Sequence, residues 1–134
     1  MGGAARLNLL LDTHIWLWFV IDPKRLGRHA FKALKDEQNE LWLSPISTWE
    51  ALTLHHNGRI DLQGDLSAWI SQATKGIKEA VLTHEIMFAA RQMPLHQDPS
   101  DRMLAATALV LELTLVTTDR RLLELPTIRT MSNR

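Results

Sequence analysis

Cysteine is absent from the 134 residues. Its absence removes disulfides and thiolate metal sites from consideration and fits a reducing cytoplasm. An excess of one charge is absent too, because 15 Lys and Arg balance 15 Asp and Glu. A strongly basic chain would point to nucleic acid by composition alone; here any such contact has to come from a local patch. No apolar run is long enough to span a membrane. Leu7 to Ile21 holds about fifteen residues against the roughly 20 a spanning helix needs, and Asp12 and His14 interrupt it. Asp22, Pro23, Lys24 and Arg25 follow, where an export signal would carry small residues for cleavage. MGGAAR lacks the Ser or Thr that a myristoylation signal has at its sixth position. The expectation is a soluble, cytoplasmic protein with no membrane partner.

Hydrophobic residues make up 46% of the chain, ordinary for a globular protein, and the length suits one core. Residues 1–134 are expected to form a single domain, with Met1 to Arg6 as a frayed start. Leu7 to Leu11 fits a buried strand, and a helix should run from about Thr13 to just before Pro23. Leu26 to Asp36 reads as a second helix and Leu41 to Leu43 as a second strand. Ser44-Pro45 is a helix start that should carry to about Asn57, with Gly58 as the left-handed stop. Ile46, Trp49, Thr53 and His56 form its predicted buried stripe, with Glu50 beside it.

A further helix spans about Leu66 to Lys75, and Glu79 to Leu82 fits a third strand. Thr83 should cap a helix to about Gln92, and Asp98-Pro99 should open another. Leu113 to Val116 reads as a fourth strand leading to Thr117, Thr118 and Asp119. Asp119 to Leu125 is a short helix and Ile128 to Met131 a fifth strand. Strands alternate with helices throughout, which predicts an α/β fold. Its centre is a small parallel sheet of four to five strands, with helices on both faces.

Ligand sites of such sheets lie at the C-terminal ends of the strands. Asp12 ends the first strand, Asp119 follows the fourth, Asp101 lies in the first turn of the Pro99 helix and Glu50 in the helix after the second strand. Carboxylates brought together raise one another's pKa values, and a divalent cation removes the conflict. Oxygen donors without cysteine favour Mg2+, or Mn2+. Such ions activate water and steady the charge of a phosphodiester displacement, so the chemistry suggested is metal-assisted nuclease action. Each acid has a plainer reading as well: Asp12 and Asp119 as helix caps, Asp101 as a capping-box partner of Asp98, Glu50 as a solvated helix residue.

Taken together, LLLDTHIWLW, SPISTWEALTLHHNGRI, MPLHQDPSDRMLAATAL and LTLVTTDRRL resemble the PIN-domain family, in particular the VapC-type toxins of bacterial toxin–antitoxin pairs. The resemblance covers about Leu9 to Met131, and DPSDRMLAATAL is its most specific block. It implies a Mg2+-dependent endoribonuclease, a PIN-like fold, a homodimer and inhibition by a cognate antitoxin protein. It assigns catalysis to Asp12, Glu50, Asp101 and Asp119, and metal binding to Asp12, Asp101 and Asp119. Thr117 is the accompanying hydroxyl and Asp98 a substitute ligand. Thr13, His14, Arg102 and Arg120 adjoin these acids and are candidates for supporting or RNA-contacting roles.

Zinc is disfavoured, because His55 and His56 are adjacent and no HxxxH or HExxH occurs among His14, His55, His56 and His96. Trp16, Trp18 and Trp49 sit in apolar runs, which favours packing over base stacking. The rival readings are a haloacid dehalogenase-like phosphatase, a receiver domain and a non-catalytic PIN-fold interaction module. The phosphatase wants a second acid where His14 stands. The receiver wants an acidic pair early and a late lysine, where this chain has Asp119, Arg120 and Arg121. The module gives no reason for the four acids.

Overall fold

The computed structural model describes residues 6–94 and 98–134; the expectation for Met1 to Ala5 and the side chain of His96 lie outside them. The strands are β1 (Asn8–Leu11), β2 (Glu40–Leu43), β3 (Lys78–Glu79), β4 (Thr114–Thr117) and β5 (Arg129–Ser132). They form one sheet in the order β3-β2-β1-β4-β5, and every pairing is parallel. The helices are α1 (Thr13–Ile21), α2 (Arg28–Lys35), α3 (Pro45–His56), α4 (Leu66–Ala73), α5 (His84–Arg91), α6 (Pro99–Leu111) and α7 (Arg120–Leu123). A 3-10 turn at Pro23–Arg25 joins α1 to α2.

Alternation along the strands divides the core in two. Leu9 and Leu11 of β1 point with Leu43 and Val116 into a layer closed by α1, α2, α3 and α4. Leu10 and Leu115 point the other way, into a layer closed by α5, α6 and α7. Both faces of β1 are therefore buried, so its run of leucines is continuous rather than alternating with polar residues. Trp16 of α1 is wholly buried, and its indole N–H donates to the Ala73 carbonyl over 2.9 Å, pinning α1 to the end of α4. Leu104 to Ala108 are buried, and the small side chains of Ala105, Ala106 and Ala108 let α6 lie close to both β4 and α5.

The helix starts follow the expected caps. The Ser44 hydroxyl oxygen accepts from the Ile46 N–H at 3.1 Å, ahead of Pro45. The Asp98 carboxylate accepts from the Ser100 N–H at 2.9 Å, ahead of Pro99. Gly58 stops α3 with φ +74°.

Several expectations are corrected. The third strand is Lys78–Glu79 rather than Glu79 to Leu82, since its pairing with β2 ends when the Ala80 N–H donates to the Leu43 carbonyl. The fourth and last strands are each shifted one residue, to Thr114–Thr117 and Arg129–Ser132. The fully buried residues of α3 are Ser47 and Ala51; Ile46 is half-buried against the core as expected, whereas Trp49, Thr53 and His56 are exposed. Trp49 is 67% exposed, and Glu50 is half-buried, facing α1. Among the described residues no helix is long and apolar enough to cross a membrane.

Candidate functional site

The sheet places Asp12 and Thr117 together by register. Leu11 of β1 pairs with Val116 of β4, and the Asp12 N–H donates to the Val116 carbonyl at 3.0 Å. The next residue on each strand is then Asp12 or Thr117, and the Thr117 hydroxyl donates to Asp12 Oδ2 at 2.6 Å. The same hydroxyl oxygen accepts from the Asp119 N–H at 3.0 Å, so one buried threonine orders both acids.

Asp12 and Asp119 are also helix caps. Asp12 Oδ1 accepts from the Thr13 N–H at 2.7 Å, and Asp119 Oδ1 accepts from the Arg121 N–H at 2.8 Å. The cap and site readings of these residues are compatible, because a carboxylate has four lone-pair positions and a cap uses one. The positive end of a helix dipole also favours the charged form at both positions.

Asp101 stands differently. The cap of α6 is Asp98, and Asp101 instead accepts from the Arg121 guanidinium, with Nη2 3.3 Å from Oδ2. The same Nη2 lies 3.3 Å from Asp119 Oδ2, so one cation bridges two carboxylates. Glu50 reaches the group from α3 and accepts a hydrogen bond from the Thr13 hydroxyl.

The electrostatics mark this edge as crowded with negative charge. Burial pushes the Asp101 carboxyl up to about 7, and repulsion from Asp98, Asp119 and Asp12 adds to it. Burial also raises Asp12, against the pull of the Thr117 hydroxyl and the Thr13 N–H. Glu50 is raised by burial and by the charges of Asp12 and Asp98, while the hydroxyls of Thr13 and Ser100 draw it back. At Asp119 burial pushes up as well, but hydrogen bonds from Arg121 outweigh it and hold the carboxyl below its usual range.

As the side chains lie, no group of three His, Asp or Glu among the described residues closes on one point tightly enough to hold an ion. Arg121 stands between two of the acids, Asp101 and Asp119. The all-oxygen donor set, the mutual repulsion and a guanidinium drawn in as counter-charge fit a hard divalent cation.

The other expected residues divide. Thr13, Thr117 and Asp98 belong to the group. His14 is exposed on its margin, with its ring 5.8 Å from that of Trp18. Arg102 turns away and donates to the Arg91 carbonyl at the end of α5, at 3.3 Å. Arg120 is exposed with no hydrogen bond to the acids among the described residues, and Arg121 takes that place. The only signal for Arg121 in the sequence is its position two residues after a capping acid, which folds it back over the helix start. Ser100, which the motif reading passed over, lies within reach of Glu50.

The parallel sheet with helices on both faces is the PIN-like fold expected. The chain belongs to the PIN-domain family, whose model matches residues 9–127. It is 33% identical over 117 residues to Ribonuclease VapC22 of Mycobacterium tuberculosis, covering 86% of this chain and 89% of the relative. Among solved structures it resembles a chain of VapBC2 from Rickettsia felis bound to a promoter DNA fragment, with a TM-score of 0.70 and 14% identity. That match covers 94% of this chain and 98% of the other. A chain of DNA-bound VapBC from Salmonella typhimurium aligns with a TM-score of 0.68 and 18% identity, over 96% and 99% of the two chains.

Proposed function

We propose that the chain is the ribonuclease toxin of a toxin–antitoxin pair and hydrolyses RNA phosphodiester bonds with the help of Mg2+ or Mn2+. The observation that carries the proposal is the gathering of Asp12, Asp101 and Asp119 at one sheet edge, linked through Thr117 and Arg121. The 33% identity to a protein named as a ribonuclease supports the reaction class. The VapBC complexes among the structural neighbours support an antitoxin as protein partner.

In this reading Asp12, Asp101 and Asp119 hold the ion, and Glu50 completes the acidic wall. A bound divalent ion supplies charge stabilisation at the phosphate and lowers the pKa of the attacking water. Thr117 keeps Asp12 and the Asp119 backbone in fixed relation, so the ligands are oriented before the ion arrives. Thr13 holds Glu50 against α1. Arg121 bridges Asp101 and Asp119, the carboxylates that would hold the ion.

The test is incubation of the purified chain with pooled cellular RNA in Mg2+, in Mn2+ and in EDTA. Discrete cleavage that EDTA abolishes is expected; intact RNA under all conditions would leave only a non-catalytic module. Growth arrest on expression alone, relieved by the product of a neighbouring small gene, tests the antitoxin.

The exposure of two apolar side chains, Phe88 at 74% and Val81 at 56%, supports the proposal of a homodimer. Sedimentation at micromolar concentration decides it: a mass twice that of the chain supports it, and a monomer refutes it.

A further inference from the structure

Trp49 leaves a large apolar surface open beside the acids. Its indole is 67% exposed on the outer flank of α3, one residue before Glu50. It shares a shallow depression of about 280 Å³ with Thr13, His14, Glu50 and Ser100. His14 and Leu54 also form the wall of a second depression of about 380 Å³, which runs on to Trp18, Arg25 and Arg59. Sharing His14 and Leu54, the two make one trough that starts at Glu50 and runs along α1.

The charge changes along its length. At the near end the lining carries one acid, Glu50, beside His14. At the far end Arg25 and Arg59 stand against a single acid, Asp22. Neither arginine is in an ion pair among the described residues. The Arg25 guanidinium lies over the Trp18 ring, 5.1 Å from its centroid, and is held in place without being neutralised.

We propose that this trough binds single-stranded RNA on one side of the scissile phosphate. Trp49 is the platform on which a base stacks, and Arg25 and Arg59 take backbone phosphates further along. The inference rests on the ribonuclease reading. An exposed indole offers a face to an unstacked base, which a duplex cannot present without opening. The two arginines offset the repulsion that the acids exert on a polyanion, and neither is paired with an acid of the site among the described residues.

The test is fluorescence anisotropy with the full chain in EDTA, which separates binding from cleavage. The probes are a labelled single-stranded oligoribonucleotide of mixed sequence and its duplex. Preference for the single strand is expected. Trp49→Ala should weaken single-strand binding about 5- to 100-fold and leave the salt dependence unchanged, as expected for lost stacking. Trp49→Phe should retain most of the affinity. The Arg25→Gln/Arg59→Gln double variant should flatten the slope of log Kd against log salt by roughly 1.4. Because all three side chains are exposed, urea unfolding should match that of the wild type.

Wild-type affinity in Trp49→Ala would overturn the proposal. So would wild-type RNA binding with an altered sedimentation coefficient, which would place Trp49 in a protein interface. If the wild type cleaves RNA with Mg2+ and Trp49→Ala cleaves with the same KM, the trough fails and the ribonuclease reading stands. If the wild type cleaves nothing, the ribonuclease reading fails, and the binding data in EDTA still decide the trough.

Discussion

The Thr117 hydroxyl donates to Asp12 Oδ2 at 2.6 Å, across 105 positions of sequence. It joins the ends of two central strands at the point where the acids gather, and Thr117 has no exposed surface. Thr117→Val keeps the shape and removes the donor. Leaving a buried carboxylate oxygen short of a partner should cost about 1–3 kcal/mol at neutral pH. The cost should shrink in acid, as Asp12 takes up a proton. Urea unfolding at pH 7 and pH 4 measures both, and an equal cost at the two pH values would contradict the assignment.

Stability without metal should fall as pH rises. Asp101 has a folded-state pKa of about 7, above its unfolded value of 3.8, so the folded state binds the extra proton. The stability it contributes is fully present below about 3.8 and is lost as the pH rises through about 7. Asp12 and Glu50, also raised, act in the same direction, whereas Asp119, lowered, acts in the opposite one. Denaturation midpoints in EDTA should decline from pH 4 to pH 7.5, and Asp101→Asn should flatten the decline. Parallel wild-type and variant curves would remove Asp101 as its source.

Much of this was legible in the sequence, and what was not has physical causes. Leucines with no polar alternation marked β1 as buried on both faces, and Ser44-Pro45 and Asp98-Pro99 marked two helix starts. The acids at strand ends followed from the parallel order. The face of α3 did not: large apolar side chains suggested Trp49 inside, but where α3 packs on α1 and α6 the small Ser47 and Ala51 are the residues buried. Bulk pushed the indole out and brought Glu50 round toward Thr13. Nor could spacing tell Arg120 from Arg121, since that depends on how a four-residue helix leaves its cap.

Arg121 and the ion should compete for the same carboxylates. Arg121→Gln removes the bridge between Asp101 and Asp119 and should tighten Mg2+ or Mn2+ binding in calorimetry. Without metal the same variant should be less stable at pH 8, where both acids are charged, and nearer to the wild type at pH 4. Weaker metal binding in the variant would mean that the guanidinium assists the site.

Metal should also stabilise the fold. At a free concentration 100 times its Kd, an ion that binds only the folded state adds about 2.7 kcal/mol. Tm should rise with added Mg2+ or Mn2+ in the wild type and stay fixed in Asp12→Asn. An equal rise in both would remove Asp12 from the site.

The most direct measurement is RNA cleavage by Asp101→Asn. The amide keeps the shape, removes the charge and leaves the α6 cap at Asp98 intact. The folded variant should be as stable as the wild type in EDTA at pH 7.5, or more so. With Mg2+ its cleavage rate should fall by on the order of 100-fold or more, since even partners behind metal ligands cost 10- to 100-fold when lost. A folded Asp101→Asn protein that cleaves RNA at the wild-type rate would contradict a metal-dependent ribonuclease site at this edge of the sheet.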